Sequence, residues 1–88
     1  MKKHFRENVK VEVKIYGDCK YEPTSESRNK AQYLIKAFEV KTIPAEEILK
    51  ETDESNLDPY NEYLILYLED GDTATFRNSF CDMYLISA

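Results

Sequence analysis

The segment YLILYLEDGDTATFR, from Tyr63 to Arg77, decides the fold, because it places two apolar runs on either side of a tight turn. Residues 63–68 alternate tyrosine with leucine and isoleucine, which is the period of a β-strand. A helix is disfavoured for so short a run that closes on Asp70-Gly71. The sequence therefore predicts a β-hairpin at the centre of a small sheet.

Two loop lengths can close this hairpin, and a change of one residue in register moves every side chain to the other face. A two-residue loop, Asp70-Gly71, leaves both faces mixed. A three-residue loop over residues 69–71, with Gly71 at positive φ as a bulge, gives one apolar and one amphipathic face, so we prefer it. The predicted pairs are Leu64 with Phe76, Leu66 with Ala74, and the tyrosines with Arg77 and Thr75.

The C-terminal segment extends the hairpin. After a tight turn at Asn78-Ser79, residues 80–86 alternate again, which predicts the third strand of a meander. The predicted core face of this meander consists of Leu64, Leu66, Leu68, Ala74, Phe76, Cys81, Met83 and Leu85.

The N-terminal half begins with a polar arm over residues 1–8, which we expect to be mobile. The segment VKVEVKIY, from Val9 to Tyr16, has the cleanest alternation in the chain and predicts a half-buried strand. Gly17-Asp18 ends this strand, and Thr24 or Ser25 is the candidate N-cap of a following helix.

That helix is expected from Glu26 to Glu39, because Ala31, Leu34, Ile35 and Phe38 recur at helical spacing. The alternative is a strand from Tyr33 to Ile43, which Val40, Thr42 and Ile43 favour. A second, shorter helix is predicted from Thr42-Ile43-Pro44, followed by a polar linker over Thr52–Asn61.

The resulting order, β-α-α-β-β-β, predicts a single domain over residues 1–88 with a two-layer α+β sandwich. The sheet is expected to be antiparallel, with the C-terminal meander in it and both helices on one face. The position of the N-terminal strand within the sheet is not determined by the pattern.

Charge is divided unevenly along the chain. Residues 1–44 carry ten Lys and Arg against six Asp and Glu, while residues 45–88 carry two against eleven, so the halves are +4 and −9. This division disfavours duplex DNA binding driven by overall charge. Two distant cysteines give no disulfide framework, and neither a signal peptide nor a membrane span is evident, so a cytosolic protein is expected.

Catalytic and metal-binding signatures are absent from the sequence. The single histidine, His4, lies in the N-terminal arm, and two glycines cannot form a phosphate-binding loop. The acidic residues around Gly71 are explained by turn chemistry. We therefore expect no catalytic residue, no metal site and no cofactor. A carboxylate-based hydrolase is the form that an enzyme would take.

The outer face of the sheet is one candidate binding surface. It is predicted to carry Tyr63, Tyr67, Arg77 and Tyr84, and tyrosine and arginine are frequent at interface hot spots. The alternative is that cross-strand tyrosine pairs only stabilise an exposed sheet. A single-stranded nucleic acid could stack on the tyrosines, but the overall charge makes this interpretation less favoured.

The second candidate surface is an acidic segment that includes only one base, Lys50. Carboxylates in such a column can imitate nucleic-acid phosphates and occupy a basic groove of a nucleic-acid-handling enzyme. A solvated helix face is the simpler explanation. The preferred hypothesis is a non-enzymatic protein that occupies a basic protein partner, and self-association is a further alternative. The segment consists of Glu46, Glu47, Glu51, Asp53, Glu54, Asp58 and Glu62.

In size and charge the chain resembles small acidic phage and mobile-element proteins that block host defence nucleases. The resemblance is one of profile and includes no shared motif. It implies an inhibitor of the anti-defence type, and this remains an expectation about function.

Overall fold

A single antiparallel sheet dominates the computed structural model, which describes residues 2–17 and 27–87. The strand order in the sheet is β4-β3-β2-β1-β5. The described helical segments are α1 (Ala45–Ile48) and two 3-10 turns, Glu54–Asn56 and Asn78–Phe80. The strands are β1 (Lys2–Tyr16), β2 (Ser27–Thr42), β3 (Glu62–Leu68), β4 (Thr73–Arg77) and β5 (Cys81–Ser87).

The predicted α+β sandwich is wrong, because the segment from Glu26 to Glu39 is not a helix in its described part but most of β2. The cause is a bulge at Lys36: Ile35 pairs with Leu68, whereas Ala37 pairs with Tyr67. The extra residue puts Ile35 and Phe38 on the same face although they are three positions apart. A spacing of three positions is also found on one face of a helix. The apolar residues of this bulged strand therefore follow a helical pattern.

Other elements of the prediction also change. The second predicted helix is a single turn, α1. Strand β1 begins at Lys2, so residues 2–8 are part of the sheet, with His4 opposite Ala37. The candidate N-cap at Thr24 or Ser25 lies outside the described residues.

The predicted three-residue hairpin loop is confirmed. Gly71 has φ 95, and the Leu68 N–H donates to the Asp72 carbonyl at 2.8 Å. The one difference is that Tyr67 opposes Thr73, while Ile65 opposes Thr75. The observed β3–β4 pairs are Tyr63 with Arg77, Leu64 with Phe76, Ile65 with Thr75, Leu66 with Ala74 and Tyr67 with Thr73.

The predicted C-terminal meander is wrong in its last step, because β5 pairs with β1 and lies at the opposite edge from β4. A flat sheet would separate its two edges by four strand spacings, or about 19 Å. Only the turn Asn78–Phe80 joins them, and four Cα steps reach about 15 Å at most. The sheet must therefore coil, and the rings of Tyr33 on β2 and Phe76 on β4 lie 5.8 Å apart across its inner face.

Coiling explains how the inner face becomes a core although no described helix covers it. Val11, Val13, Ile35 and Leu66 are completely buried. Of the predicted core face, Leu85 differs, since it is 62% exposed near the end of β5. The buried core cluster consists of Val9, Val11, Val13, Ile35, Leu64, Leu66 and Cys81.

Candidate functional site

Residues 43–61, which connect β2 to β3, fold back over the outer face of the sheet; we call them the acidic loop. The Ile43 N–H donates to the Asn61 carbonyl at 2.8 Å and closes the base of this loop. Pro44 precedes α1, where its fixed φ suits the start of a helical turn. Ile48, on that turn, is only 9% exposed and anchors the loop from above.

Asp58 fastens the acidic loop to the turn between β4 and β5. Its carboxylate accepts hydrogen bonds from the backbone N–H groups of Tyr60, Glu62 and Ser79 and from the Ser79 hydroxyl. The side chain is 3% exposed. Because Ser79 lies 21 residues away, this carboxylate is a long-range latch as well as a local turn residue.

Protonation of Asp58 is governed by the same contacts. Burial raises the pKa of the Asp58 carboxyl, but the hydrogen bonds from Ser79, Tyr60 and Glu62 together outweigh burial and hold the pKa below its ordinary value. Asp58 is therefore ionised at neutral pH, with its charge solvated by protein donors. It has the features of a structural carboxylate and lacks those of a general acid.

A groove of about 660 Å³ lies beside the acidic loop, between it and the outer face of β3 and β4, and extends to the inner-face residues Ile15, Phe76 and Cys81. Its floor is the tyrosine-bearing face, and its wall is the loop, so the structure joins two surfaces that the sequence presents separately. The lining residues are Ile15, Ile43, Ile48, Glu51, Thr52, Asn56, Tyr63, Ile65, Tyr67, Thr73, Thr75, Phe76, Arg77, Phe80 and Cys81.

The two floor tyrosines are held in place by specific contacts. Tyr63 is 2% exposed, and its hydroxyl accepts a hydrogen bond from the Asp58 N–H at 3.0 Å. Tyr67 donates its hydroxyl to Glu39, and the Lys2 ammonium lies 3.8 Å from the centre of its ring. The hydrogen bond to Glu39 raises the pKa of the Tyr67 phenol.

The remaining predicted residues of the sheet face occupy two places. Arg77 lines the groove and stacks on Phe80, with its guanidinium 4.2 Å from the ring centre. Tyr84 lies on β5, at the other edge of the sheet, where Lys14 is 5.0 Å from its ring centre. The structure therefore brings Tyr63, Tyr67 and Arg77 together and places Tyr84 apart.

The predicted acidic residues also divide. Of the exposed carboxylates on the loop, only Glu51 lines the groove, and Asp58 is used inside the fold. Glu62, at the start of β3, accepts a hydrogen bond from the Asn78 side chain at 3.2 Å. The loop carboxylates that are exposed outside the groove lining are Glu46, Glu47, Asp53 and Glu54.

Sequence reasoning missed the latch and the apolar part of the groove. Asp58-Pro59-Tyr60-Asn61 is a turn sequence, with Asp first, Pro second and Asn61 at φ 57. This signal identifies the turn. It contains nothing about Ser79 or Phe80, which reach the site only through the coiling of the sheet.

Among the described residues, no group of three or more His, Cys, Asp or Glu side chains is arranged so that it could hold a metal ion. None of the described helices has the length and apolar character needed to cross a membrane. Comparison with protein-family models, with curated proteins and with solved structures gives no match to this chain.

Proposed function

We propose that this chain is a non-enzymatic binding protein that holds a basic, extended segment of a protein partner in the groove. The observation that carries the proposal is the composition of the groove, which combines Glu51 on the loop wall with an aromatic and aliphatic floor that also includes Arg77. A cytosolic location belongs to the same proposal, because the cysteine pattern gives no disulfide framework.

Charge favours a cationic ligand at the wall. The acidic loop contains six carboxylates and one base, Lys50, and Glu51 lines the groove itself. The charge of Asp58 is solvated by hydrogen-bond donors inside the fold, whereas the other loop carboxylates are exposed. Arg77 also lines the groove, so the attraction comes from the exposed carboxylates of the loop taken together, which raise the association rate of a positively charged partner.

The floor favours side chains with long aliphatic stems. Ile48, Ile65 and Phe80 line the groove, and lysine and arginine can pack their methylene groups on such a surface while the charged end stays near carboxylates. A volume of about 660 Å³ is within the range of ligand pockets and suits a few side chains of an extended segment. The contacts therefore fit a basic peptide segment better than a large polyanion.

The single-stranded nucleic-acid interpretation has less support from the geometry. Stacking needs open aromatic faces, whereas Tyr63 is 2% exposed and the Lys2 ammonium lies over the Tyr67 ring. Tyr84 is 47% exposed but lies on the other edge strand. No row of stacking rings is formed by these three tyrosines.

The hydrolase interpretation has the least support. A carboxyl group that acts as a general acid requires a raised pKa. The pKa of Asp58 is lowered instead, and the hydrogen bonds that its carboxylate accepts come from donors within the fold. Tyr67, the lining residue whose pKa is raised, is paired with Glu39. Binding without chemistry is therefore the proposal.

Nucleic-acid mimicry is a second candidate, and one observation favours it. Glu46, Glu47, Asp53 and Glu54 are exposed on the loop but do not line the groove, so a basic channel of a nucleic-acid-handling enzyme could contact them from outside. An inhibitor of the anti-defence type would act in this way. Changing these four carboxylates to amides while keeping Glu51 separates the two candidates: mimicry is lost, whereas the basic peptide still binds in the groove with a slower association rate.

Titration with a short lysine- and arginine-rich peptide, followed by amide chemical shifts, tests the groove. We expect the largest shifts at Glu51, Thr52, Ile65 and Arg77, and small shifts at Tyr84 on the distant edge. An acidic peptide of the same length is the control and should produce no saturable shifts. Basic-peptide shifts that are spread evenly over the exposed carboxylates, or absent, would contradict a groove site.

A further inference from the structure

Strand β4 is the edge of the sheet that the groove reaches. Strand order places β4 beyond β3, and among residues 2–17 and 27–87 no strand other than β3 pairs with it. Thr75 and Phe76 of this strand both line the groove. Neighbouring residues of a strand point to opposite faces, so the groove reaches both faces of β4. Because β3 closes one side of β4, the two faces meet around its free side.

The hydrogen bonds of β3 show which backbone groups of β4 are turned toward that free side. The Glu69 N–H donates to the Leu34 carbonyl on β2 at 3.2 Å, whereas the Leu68 N–H donates to the Asp72 carbonyl, just before β4. Successive residues of an antiparallel strand bond alternately to the strands on its two sides. The even-numbered residues of β3 therefore bond to β4, and their partners there are Ala74 and Phe76.

Thr73 and Thr75 have the opposite orientation. They pair with the odd-numbered residues Tyr67 and Ile65, so their N–H and C=O groups point away from β3. Both threonines are exposed, and both side chains line the groove. The groove therefore contains a row of backbone donors and acceptors, which is the template that an added strand uses.

Charge does not protect this edge from pairing. The one charged residue of β4 is Arg77 at its end, and the guanidinium stacks on Phe80, 4.2 Å from the ring centre. Residues 73–76 contain neither charge nor proline, and threonine and phenylalanine favour strand structure. The free side of β4 is therefore suited to accept a short extended segment.

We infer, building on the proposed function, that the basic segment of the partner binds as an added strand antiparallel to β4. Antiparallel addition continues the sheet, in which every strand pair is antiparallel. Residues of the segment opposite Thr73 and Thr75 lie on the outer side, where Glu51 lines the groove. The residues between them lie on the inner side, toward Phe76 and Cys81. The segment should therefore alternate basic and apolar residues.

The exposed carboxylates of the acidic loop identify a basic segment as the occupant. Five of them lie on the loop that covers the outer side of the groove, and the apolar inner side contains no acidic residue in its lining. A segment of alternating charge and apolarity therefore matches the two sides, whereas an acidic segment would be repelled on the outer one. The five carboxylates are Glu46, Glu47, Glu51, Asp53 and Glu54.

Amide hydrogen exchange, measured with and without a short peptide that alternates lysine with valine, tests the pairing. At saturating peptide, exchange at Thr73 and Thr75 should slow at least about tenfold, because their N–H groups become hydrogen-bonded. Exchange at Ala74 and Phe76 should change much less, since their N–H groups already donate to β3.

Backbone methylation of the same peptide tests the orientation. In antiparallel pairing the lysines lie opposite Thr73 and Thr75, so the lysine N–H groups point at β4 and the valine N–H groups point away. N-methylation of the lysines should weaken binding at least about tenfold, and N-methylation of the valines by less than about threefold. A peptide with its lysines and valines in two separate blocks should also bind at least about tenfold more weakly.

Two substitutions at one position test the edge itself. Thr75→Pro removes an N–H that does not take part in pairing with β3, and proline is tolerated in an edge strand at such a position. It should weaken binding of the alternating peptide about five- to tenfold. Thr75→Ala keeps the N–H and is the matched control, with an expected change of less than about threefold. The circular dichroism spectra of both variants must match that of the wild type.

The outcomes separate this inference from the proposed function. Binding of the alternating peptide with unchanged exchange at Thr73 and Thr75, or equal affinities for the two methylated peptides, would overturn strand addition alone. Strand addition also fails alone if a lysine- and arginine-rich peptide binds and the alternating peptide does not. If neither peptide binds, or if a peptide that alternates glutamate with valine binds equally well, the proposed function fails with it.

Discussion

Neighbouring side chains of β3 are buried by two different means. Leu64 and Leu66 point inward and are covered because the sheet coils on itself. Tyr63 points outward and is covered only because the acidic loop folds over it and Asp58 holds the loop in place. The inner face is therefore a property of the whole sheet, whereas the outer face depends on one latch, and the groove lies where the loop leaves the sheet uncovered.

Leu66→Ala tests the inner face and has the largest expected effect. Leu66 is completely buried at the centre of the core cluster, so removing its branched end should lower the free energy of unfolding by about 2–5 kcal/mol. Chemical denaturation measures this value. Thr75→Ala, on the exposed outer face of β4, is the control and should change stability by less than about 0.5 kcal/mol.

Asp58→Ala tests the outer face. It leaves the N–H groups of Tyr60, Glu62 and Ser79 without their acceptor, so the free energy of unfolding should fall by about 1–3 kcal/mol. Amide hydrogen exchange should accelerate at these positions and across the acidic loop, while the inner pairs of β1 and β2 stay protected. Equal acceleration everywhere would show that loop and core form one unit. Glu47→Ala, exposed on α1, is the control.

The latch should also depend on pH. The folded-state pKa of Asp58 is lowered, so its contribution is complete above about pH 4, the ordinary carboxyl range, and is lost as the pH falls further through the folded pKa. We expect part of the acid-induced loss of stability to vanish in Asp58→Asn. Parallel pH profiles for wild type and variant would mean that Asp58 does not contribute to this loss.

Gly71→Ala sharpens the comparison by testing the hairpin that sets which β3 residues face inward. Nothing lies within 4 Å of a Cβ built at Gly71, so the cost comes from its φ of 95 alone. A loss of about 1 kcal/mol is expected in thermal unfolding. Gly71→Asn should restore part of it, because asparagine tolerates left-handed φ better than alanine. Equal melting temperatures for all three chains would contradict the register.

Tyr67→Phe has the smallest expected effect and concerns the edge of the groove. Because the hydrogen bond to Glu39 raises the folded-state pKa of Tyr67, its contribution is complete below about pH 10 and is lost as the pH rises through the folded pKa. The wild type should therefore lose more stability at alkaline pH than the variant. Identical alkaline midpoints of unfolding would show that the contact with Glu39 is not maintained in solution.

The hairpin could be predicted from the sequence because residues close together in the chain determine it. A turn that needs positive φ at Gly71 and an alternation beside it determine the register together. Strand β2 could not be predicted in the same way. Its bulge at Lys36 changes the apolar spacing from two to three, and only pairing with β1 and β3 stabilises such a strand over a helix.

The candidate site was predictable only in part for the same reason. Tyr63, Tyr67 and Arg77 share a face that follows from alternation, and Glu51 belongs to a segment of evident acidity. Their meeting in one groove requires the loop to fold back, and that arrangement depends on Asp58 and Ser79, 21 residues apart. A local sequence pattern does not indicate a contact between residues so far apart in the chain. For Tyr84, the alternation predicted the correct face of the sheet. The predicted meander, however, placed its strand with β3 and β4 and not at the opposite edge of the sheet.

The central claim is tested most directly by two variants with matched charge reversals. The measured quantity is the affinity of each variant for a lysine- and arginine-rich peptide. Glu51→Lys changes the groove wall, and Glu69→Lys makes the same charge change on the exposed hairpin loop outside the groove. We expect calorimetry to show about three- to tenfold weaker binding for Glu51→Lys and a much smaller change for Glu69→Lys. Equal losses would mean that overall charge, and not the groove, attracts the partner.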